Sequence, residues 1–237
     1  VPTYRDRGVV LRTVKLGEAD RIVTLLTEER GKVRAVAKGV RKTGSKIGAR
    51  LDPTSHVALQ CYEGRNLDTV TQVETIDAFR NVREHYGCLT HAIAMLEAVD
   101  QVTLEGEPNP IVYKMLVGAL RTLDETPNPL VAAAFFWRLL SVEGFQPVLD
   151  ACVRCSAPGP FPAFDPGEGG AVCSSCAQFS GRRVEPAVLD LLGLIVTGEV
   201  RRALAAEPGP VADEVERLAV MTWEHHLERR LRSSALL

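Results

Sequence analysis

Two groups of residues in this chain have the types and spacing to do chemistry. The first is Cys152-Val-Arg-Cys155, then seventeen residues, then Cys173-Ser-Ser-Cys176. Each C-x-x-C turn aims two thiolates and several backbone N–H groups at one point. Two such turns make a closed tetrahedral site, for which zinc is the fitting ion. Four thiolates leave no position open for a substrate, so the expected zinc is structural. Between the turns lie Pro158, Pro160, Pro162, Pro166 and four glycines, a loop that could not build its own core. Metal binding worth about 10–16 kcal/mol would offset its ordering cost. Disulfides are disfavoured in a cytosolic compartment, and a redox dithiol would need a thioredoxin-like βαβ context that the sequence lacks.

The second group is a one-signed run. From Arg30 to Arg50 the chain carries Arg30, Lys32, Arg34, Lys38, Arg41, Lys42, Lys46 and Arg50, with no acid after Glu29 until Asp52. Its first part alternates as a strand, with Val33, Ala35 and Ala37 on one face and Lys32, Arg34, Val36 and Lys38 on the other. Its second part is loop-like, with Gly39, Gly44, Ser45 and Gly48 among the cations. A rigid strand face and a flexible arm offering positive charge to one region are what a polyanion site needs. The candidate nucleic-acid contacts are therefore Lys32, Arg34, Lys38, Arg41, Lys42, Lys46 and Arg50. The bland alternative is a solvated surface.

The formal net charge of −2 hides an asymmetry: residues 1–80 hold 15 Lys/Arg against 10 Asp/Glu, and residues 81–237 hold 13 against 20. The first third is the expected anion-binding module and the rest a protein-facing scaffold. At 237 residues there is room for one large domain or two modest ones. No apolar run approaches the ~20 residues that span a bilayer, and Val1 to Arg12 has no signal-peptide pattern. A cytoplasmic protein is expected. Cys61 and Cys88 read as buried filler.

The elements that must position these groups change period near residue 79. Strands are expected over Gly8–Lys15, Arg21–Thr27, Lys32–Lys38, His56–Tyr62 and Leu67–Ile76. Five strands in under 80 residues suit a small closed barrel of the OB type, with an SH3-like barrel as the rival that periodicity does not separate. Helices follow. One has Leu89, Ile93, Leu96 and Val99 on one face, and others run over Ile111–Leu123 and Leu130–Val142. A fourth opens at Pro186 with Leu189, Leu192 and Ile195 inward, and a long amphipathic one covers Val211–Leu231. The expected organisation is an OB domain over 1–79 and a helical bundle over 80–237, interrupted by a zinc-binding loop at 150–181.

No catalytic constellation emerges. Gly39 to Lys46 nearly matches a phosphate loop, but its Ser and Lys are exchanged, and Pro53 follows where a helix should run. His225 and His226 are adjacent on a helix, about 100° apart, and read as one surface and one packed histidine.

Taken together, certain residues resemble a known family. They are Gly17-Glu18-x-Asp20-x-Ile22-Val23-x-Leu25-x-Thr27, then Gly31, Val36-Ala37-Lys38-Gly39, Arg41-Lys42 and Ser45. Further on come Phe135, Leu139-Leu140, Gly144-Phe145, Pro147, Leu149-Asp150, Cys152 and Cys155. This pattern resembles the RecO family of bacterial recombination-repair mediators, in the same order over essentially the whole chain. Ser156 stands where glycine is common in that family. The resemblance implies an N-terminal OB domain, a helical C-terminal domain and a zinc insertion. It implies binding to single- and double-stranded DNA, annealing of complementary strands, and no enzymatic activity. It further implies help in loading the recombinase RecA onto strands coated by single-strand-binding protein (SSB), partnership with RecR, and contact with the acidic C-terminal tail of SSB. Because barrel aromatics are few (Tyr4, Tyr62 and, at its edge, Phe79), affinity is expected from phosphate contacts rather than base stacking. A zinc-containing adaptor whose basic arm docks an acidic protein is the alternative, and a metal-dependent enzyme the weakest reading.

Overall fold

A computed structural model describes residues 2–42, 44–45 and 47–233. Two compact units divide at Pro127/Asn128. The first begins with β1 (Thr3–Leu16), β2 (Asp20–Thr27), β3 (Gly31–Ala37), β4 (His56–Tyr62) and β5 (Asp68–Asp77), closed in the order β1-β2-β3-β5-β4. β3 and β5 are parallel and every other pairing is antiparallel. This is the OB-like barrel expected from the sequence.

β1 is longer than its apolar core suggests because it serves two neighbours, pairing with β4 through residues 3–9 and with β2 through residues 8–16. The register shifts between Val10 and Arg12, and such a bulge bends a strand enough to close a barrel. Alternation then fills the interior with Val10, Val23, Leu25, Ala35, Ala37, Val57, Leu59, Cys61, Val70 and Val73. At Gly31, φ is 68° and a Cβ would lie 2.0 Å from the Glu107 carbonyl oxygen, so the β2–β3 turn accepts only glycine.

Three helices complete this unit: α1 (Arg80–Glu84), α2 (Tyr86–Val102) and α3 (Pro110–Glu125). The buried row of α2 runs through Cys88, Ala92, Met95, Leu96 and Val99, while Leu89 and Ile93 are only half-buried. The inward face is thus rotated from the expected one, because small residues let the helix approach its neighbours closely. Asn109 caps α3 by accepting the Val112 N–H, with Pro110 at its first position. His56, buried on β4, ties α3 to the barrel. Its Nε2 meets the Tyr113 hydroxyl at 2.9 Å and its Nδ1 meets Asp77 at 3.3 Å. Those partners assign the tautomer: Nδ1–H donates to the carboxylate and Nε2 accepts from the phenol.

The second unit is built around α4 (Leu130–Val142), apolar and buried from Leu130 to Trp137, with Arg138 exposed beyond. α5 (Pro186–Val196) and α7 (Pro210–Leu227) pack with it, and the short α6 (Val200–Ala203) lies between them in sequence. Trp137 and Trp223 are fully buried, and the Trp137 indole donates to the Val215 carbonyl at 3.0 Å. α7 stops at Leu227, short of Leu231, because Glu228 turns left-handed. His225 is exposed and His226 packs on Phe145 at 4.8 Å, the two roles their spacing required. Inserted between α4 and α5 is a small sheet in the order β7-β6-β8: β6 (Ala163–Asp165), β7 (Gly170–Val172) and β8 (Arg182–Arg183). No helix among the described residues is long and apolar enough to cross a membrane.

Candidate nucleic-acid interface and metal centre

The basic run divides into two groups at Ala37. On the strand side, each cation meets a carboxylate. Arg30 pairs with Glu63 at 3.6 Å and lies 3.9 Å over the Tyr4 ring. Lys32 Nζ donates to the Asp100 backbone carbonyl at 2.7 Å and to its carboxylate at 3.2 Å, leaving the side chain 12% exposed. Arg34 reaches Glu105 at 3.5 Å. The strand face that reads as open to a polyanion is therefore covered by the end of α2 and the segment after it, which also pairs as a bridge with Lys32. For Lys32 and Arg34 the expectation of a free cationic face is not what the geometry provides: acids about 70 residues further on pair with both, although the Arg34 Nε is buried without a hydrogen-bond partner.

Beyond Ala37 the picture reverses. Lys38, Arg41, Lys42 and Arg50 are exposed, and among the described residues none of them has a carboxylate partner. Arg41 donates to the Gly17 carbonyl at 3.1 Å and Arg50 to the Val73 carbonyl at 2.7 Å, contacts that orient a guanidinium without neutralising it. Lys46 lies outside the described residues.

Nor is the segment a free arm. Val40 and Leu51 are buried against the barrel interior and Ile47 packs beside them. A Cβ at Gly48 would sit 2.4 Å from the Val40 carbonyl oxygen, so the loop closes tightly on itself there. The turn between β1 and β2 holds its start: Asp20 accepts the Gly39 N–H at 2.7 Å and Ala19 the Arg41 N–H at 2.9 Å. Sequence reasoning missed Lys15 on this rim. It is exposed and paired in register with Arg21, which is paired with Ala37. The signal was the hairpin register, which places Lys15 beside the start of the loop.

Of the barrel aromatics, Tyr4 is buried with its hydroxyl on Asp68 at 2.5 Å, and burial together with that bond pushes the phenol far above its ordinary range. Phe79 is also buried, and only Tyr62 presents an open ring. Such a surface offers cations for phosphates and little for bases.

The four cysteines converge. Cys152, Cys155, Cys173 and Cys176 have their sulfurs within 4.8 Å of one another, with Cys155 and Cys173 3.6 Å apart. Zinc–sulfur bonds of about 2.3 Å in a tetrahedron separate sulfurs by about 3.8 Å, so the cluster fits one metal ion. Both turns close alike: the Ser156 N–H donates to the Cys152 carbonyl at 2.8 Å and the Ala177 N–H to the Cys173 carbonyl at 2.9 Å. Ser156 adopts φ 58°, the left-handed conformation that explains a preference for glycine there. The Cys173 N–H donates to the Cys152 sulfur at 3.4 Å, and that donation holds the Cys152 thiol down at about 6, whereas contact with the Cys155 sulfur pushes the Cys176 thiol up.

Around the cluster the core is small, with Val153, Ala157, Phe161, Ala163 and Val172. Phe164 points away from it, fully buried, edge-on to Trp137 at 5.7 Å, which fastens the insertion to α4. Asp165 organises the β6–β7 turn by accepting the Gly167 and Glu168 N–H groups, the Ser180 hydroxyl and the Arg154 guanidinium. Burial raises its pKa, but the Ser180 and backbone donors outweigh that and hold the carboxyl below the usual range. Arg154 and Arg182 are engaged by Asp165 and Glu214, leaving Arg183 exposed.

Comparison with known families agrees with this geometry. A family model described as Recombination protein O N terminal matches residues 1–79, and one described as Recombination protein O C terminal matches residues 83–235. The chain belongs to the recombination protein O family, whose members mediate DNA recombination and repair.

Proposed function

We propose that this chain is a non-enzymatic mediator that grips the phosphate backbone of single- and double-stranded DNA, anneals complementary strands, and with RecR promotes RecA loading on SSB-coated strands. The observation that carries the DNA contact is the loop after Ala37, which offers exposed Lys38, Arg41, Lys42 and Arg50 without carboxylate partners among the described residues. With Lys46 these form the proposed site, and Lys32 and Arg34, paired with Asp100 and Glu105, lie on the strand before it. A strand held by its backbone keeps its base edges free, and the surplus cations reduce repulsion from a second strand. That combination is what annealing requires. The cysteine cluster is proposed to hold one structural Zn2+, in keeping with four sulfur donors and no open position.

The test is annealing of complementary labelled oligonucleotides by the K38A/R41A/K42A/K46A variant. It is expected to lose annealing while keeping the circular-dichroism spectrum and melting of the parent. Full annealing by a folded variant would refute the assignment. An adaptor that docks an acidic protein through the same loop would show no salt-dependent retention of a random oligonucleotide.

A further inference from the structure

We infer that Asp20 is the positioning residue of the phosphate-binding loop. The inference rests on the reading of residues 38–50 as the backbone contact, and adds what makes those cations effective.

An acid in this place calls for a reason. By Coulomb attraction alone, a carboxylate among Lys15, Arg21, Lys38 and Arg41 weakens the pull on a polyanion. Its geometry supplies the reason. Asp20 Oδ1 accepts the Gly39 N–H at 2.7 Å, and the carbonyls of the same turn take the two donors of Arg41, its N–H at Ala19 and its guanidinium at Gly17. The next residue, Arg21, reaches Asp52 at 3.0 Å and so holds the far end of the loop. Lys38 is thus fixed between Ala37, buried in the barrel, and Gly39, bonded to Asp20. Gly39 has φ 67°, a conformation that this bond and the missing Cβ together maintain.

The turn between β1 and β2 therefore acts as a clasp. It takes up backbone donors and leaves the outward ammonium and guanidinium groups for the ligand. A preordered loop does not lose further freedom on binding, which otherwise costs affinity for each side chain fixed.

The experiment uses the full chain, a fluorescent random single-stranded oligonucleotide and anisotropy titrations over a range of salt. D20A removes one negative charge, so electrostatics alone requires equal or tighter binding. The clasp requires the reverse: binding about 5-fold weaker, with the slope of log K against log salt unchanged because no cation is lost. D20N keeps an accepting oxygen and should bind within about twofold of the parent. In the parent, the Gly39 amide should be protected from hydrogen exchange. D20A binding as tightly as the parent, equal losses in D20N and D20A, or an unprotected Gly39 amide would each overturn the clasp. If instead K38A/R41A/K42A binds like the parent, the loop reading itself fails, and the role of Asp20 with it.

Discussion

The two halves of the basic run give a quantitative test of which cations meet DNA. Five cations after Ala37, counting Lys46, should neutralise about five phosphates, giving a slope near −3.5 for single strands. Affinity should then fall about 100-fold between 50 and 200 mM salt. K38A/R41A/K42A removes three of these contacts. The remaining slope is about −1.4, and the same salt change costs only about 7-fold. K32A/R34A removes two charges from the same stretch of sequence, but Lys32 is already bound to Asp100 and Arg34 to Glu105. That variant should keep its slope within about half a unit. It should instead lose about 2 kcal/mol of stability, since a nearly buried hydrogen bond to a charged group is broken. The assays are anisotropy titrations at four or five salt concentrations and urea melts of each variant. If K32A/R34A flattens the slope as much as the loop variant does, the separation at Ala37 is wrong and proximity in sequence, not exposure, decides the contacts.

Two further outcomes follow from the second unit and from the buried histidine. Metal analysis should find one zinc per chain. C155S should lose it and melt at a lower temperature, with a changed near-ultraviolet signal because Phe164 packs on Trp137; an unchanged melt without metal would refute a structural role. Stability should also depend on His56. Burial lowers its pKa despite the opposing bond to Asp77, and Arg121 and Arg7 add to the lowering, so the unfolded chain binds the extra proton first. Stability from this residue is complete above its ordinary value of 6.5 and is lost as pH falls below it toward the folded value. Asp77 acts in a separate window. Burial raises its pKa, but the bonds from His56 and Arg121 prevail and lower it, so its contribution is lost only at pH below 3.8. Urea melts between pH 7.5 and 5 should show the decline in the parent and a flatter curve in H56Q. Equal curves would exclude His56 as the source.

Local signals in the sequence were enough for some features. β4 spans His56–Tyr62 and α4 spans Leu130–Val142, limits that turn residues and Pro129 already set. The cysteines converge because each C-x-x-C turn forms its half of the site within four residues. Other features depend on partners far along the chain. Thr3–Arg7 reads as polar but becomes strand because β4 pairs with it, 55 residues on at Arg5 and Gln60. Lys32 and Lys38 share one alternating face as the sequence reads, yet β3 ends at Ala37. Lys38 therefore falls in the turn beyond it, while Lys32 stays on the strand and meets a carboxylate supplied from α2. Periodicity gives the side of a strand on which a cation stands; it does not say what will cover that side.

The candidate site and the metal insertion meet the same physical problem in different ways. Each loop has few apolar residues, and both must hold polar backbone in a fixed shape. In each, one carboxylate collects the backbone donors: Asp20 takes Gly39, and Asp165 takes Gly167 and Glu168. In the cysteine insertion, the remaining order would come from four thiolates drawn to one bound cation. At the barrel rim it comes from Val40, Ile47 and Leu51 seated against the barrel, and the side chains of Arg41, Lys42 and Arg50 between them stay exposed. Crowding like charges on a rigid loop costs stability through mutual repulsion. Such an arrangement lasts only where apolar anchors and a clasp exceed that cost. The repulsion released when a polyanion arrives then adds to binding, so the clasped loop gains more from a phosphate backbone than the same cations on a slack chain would.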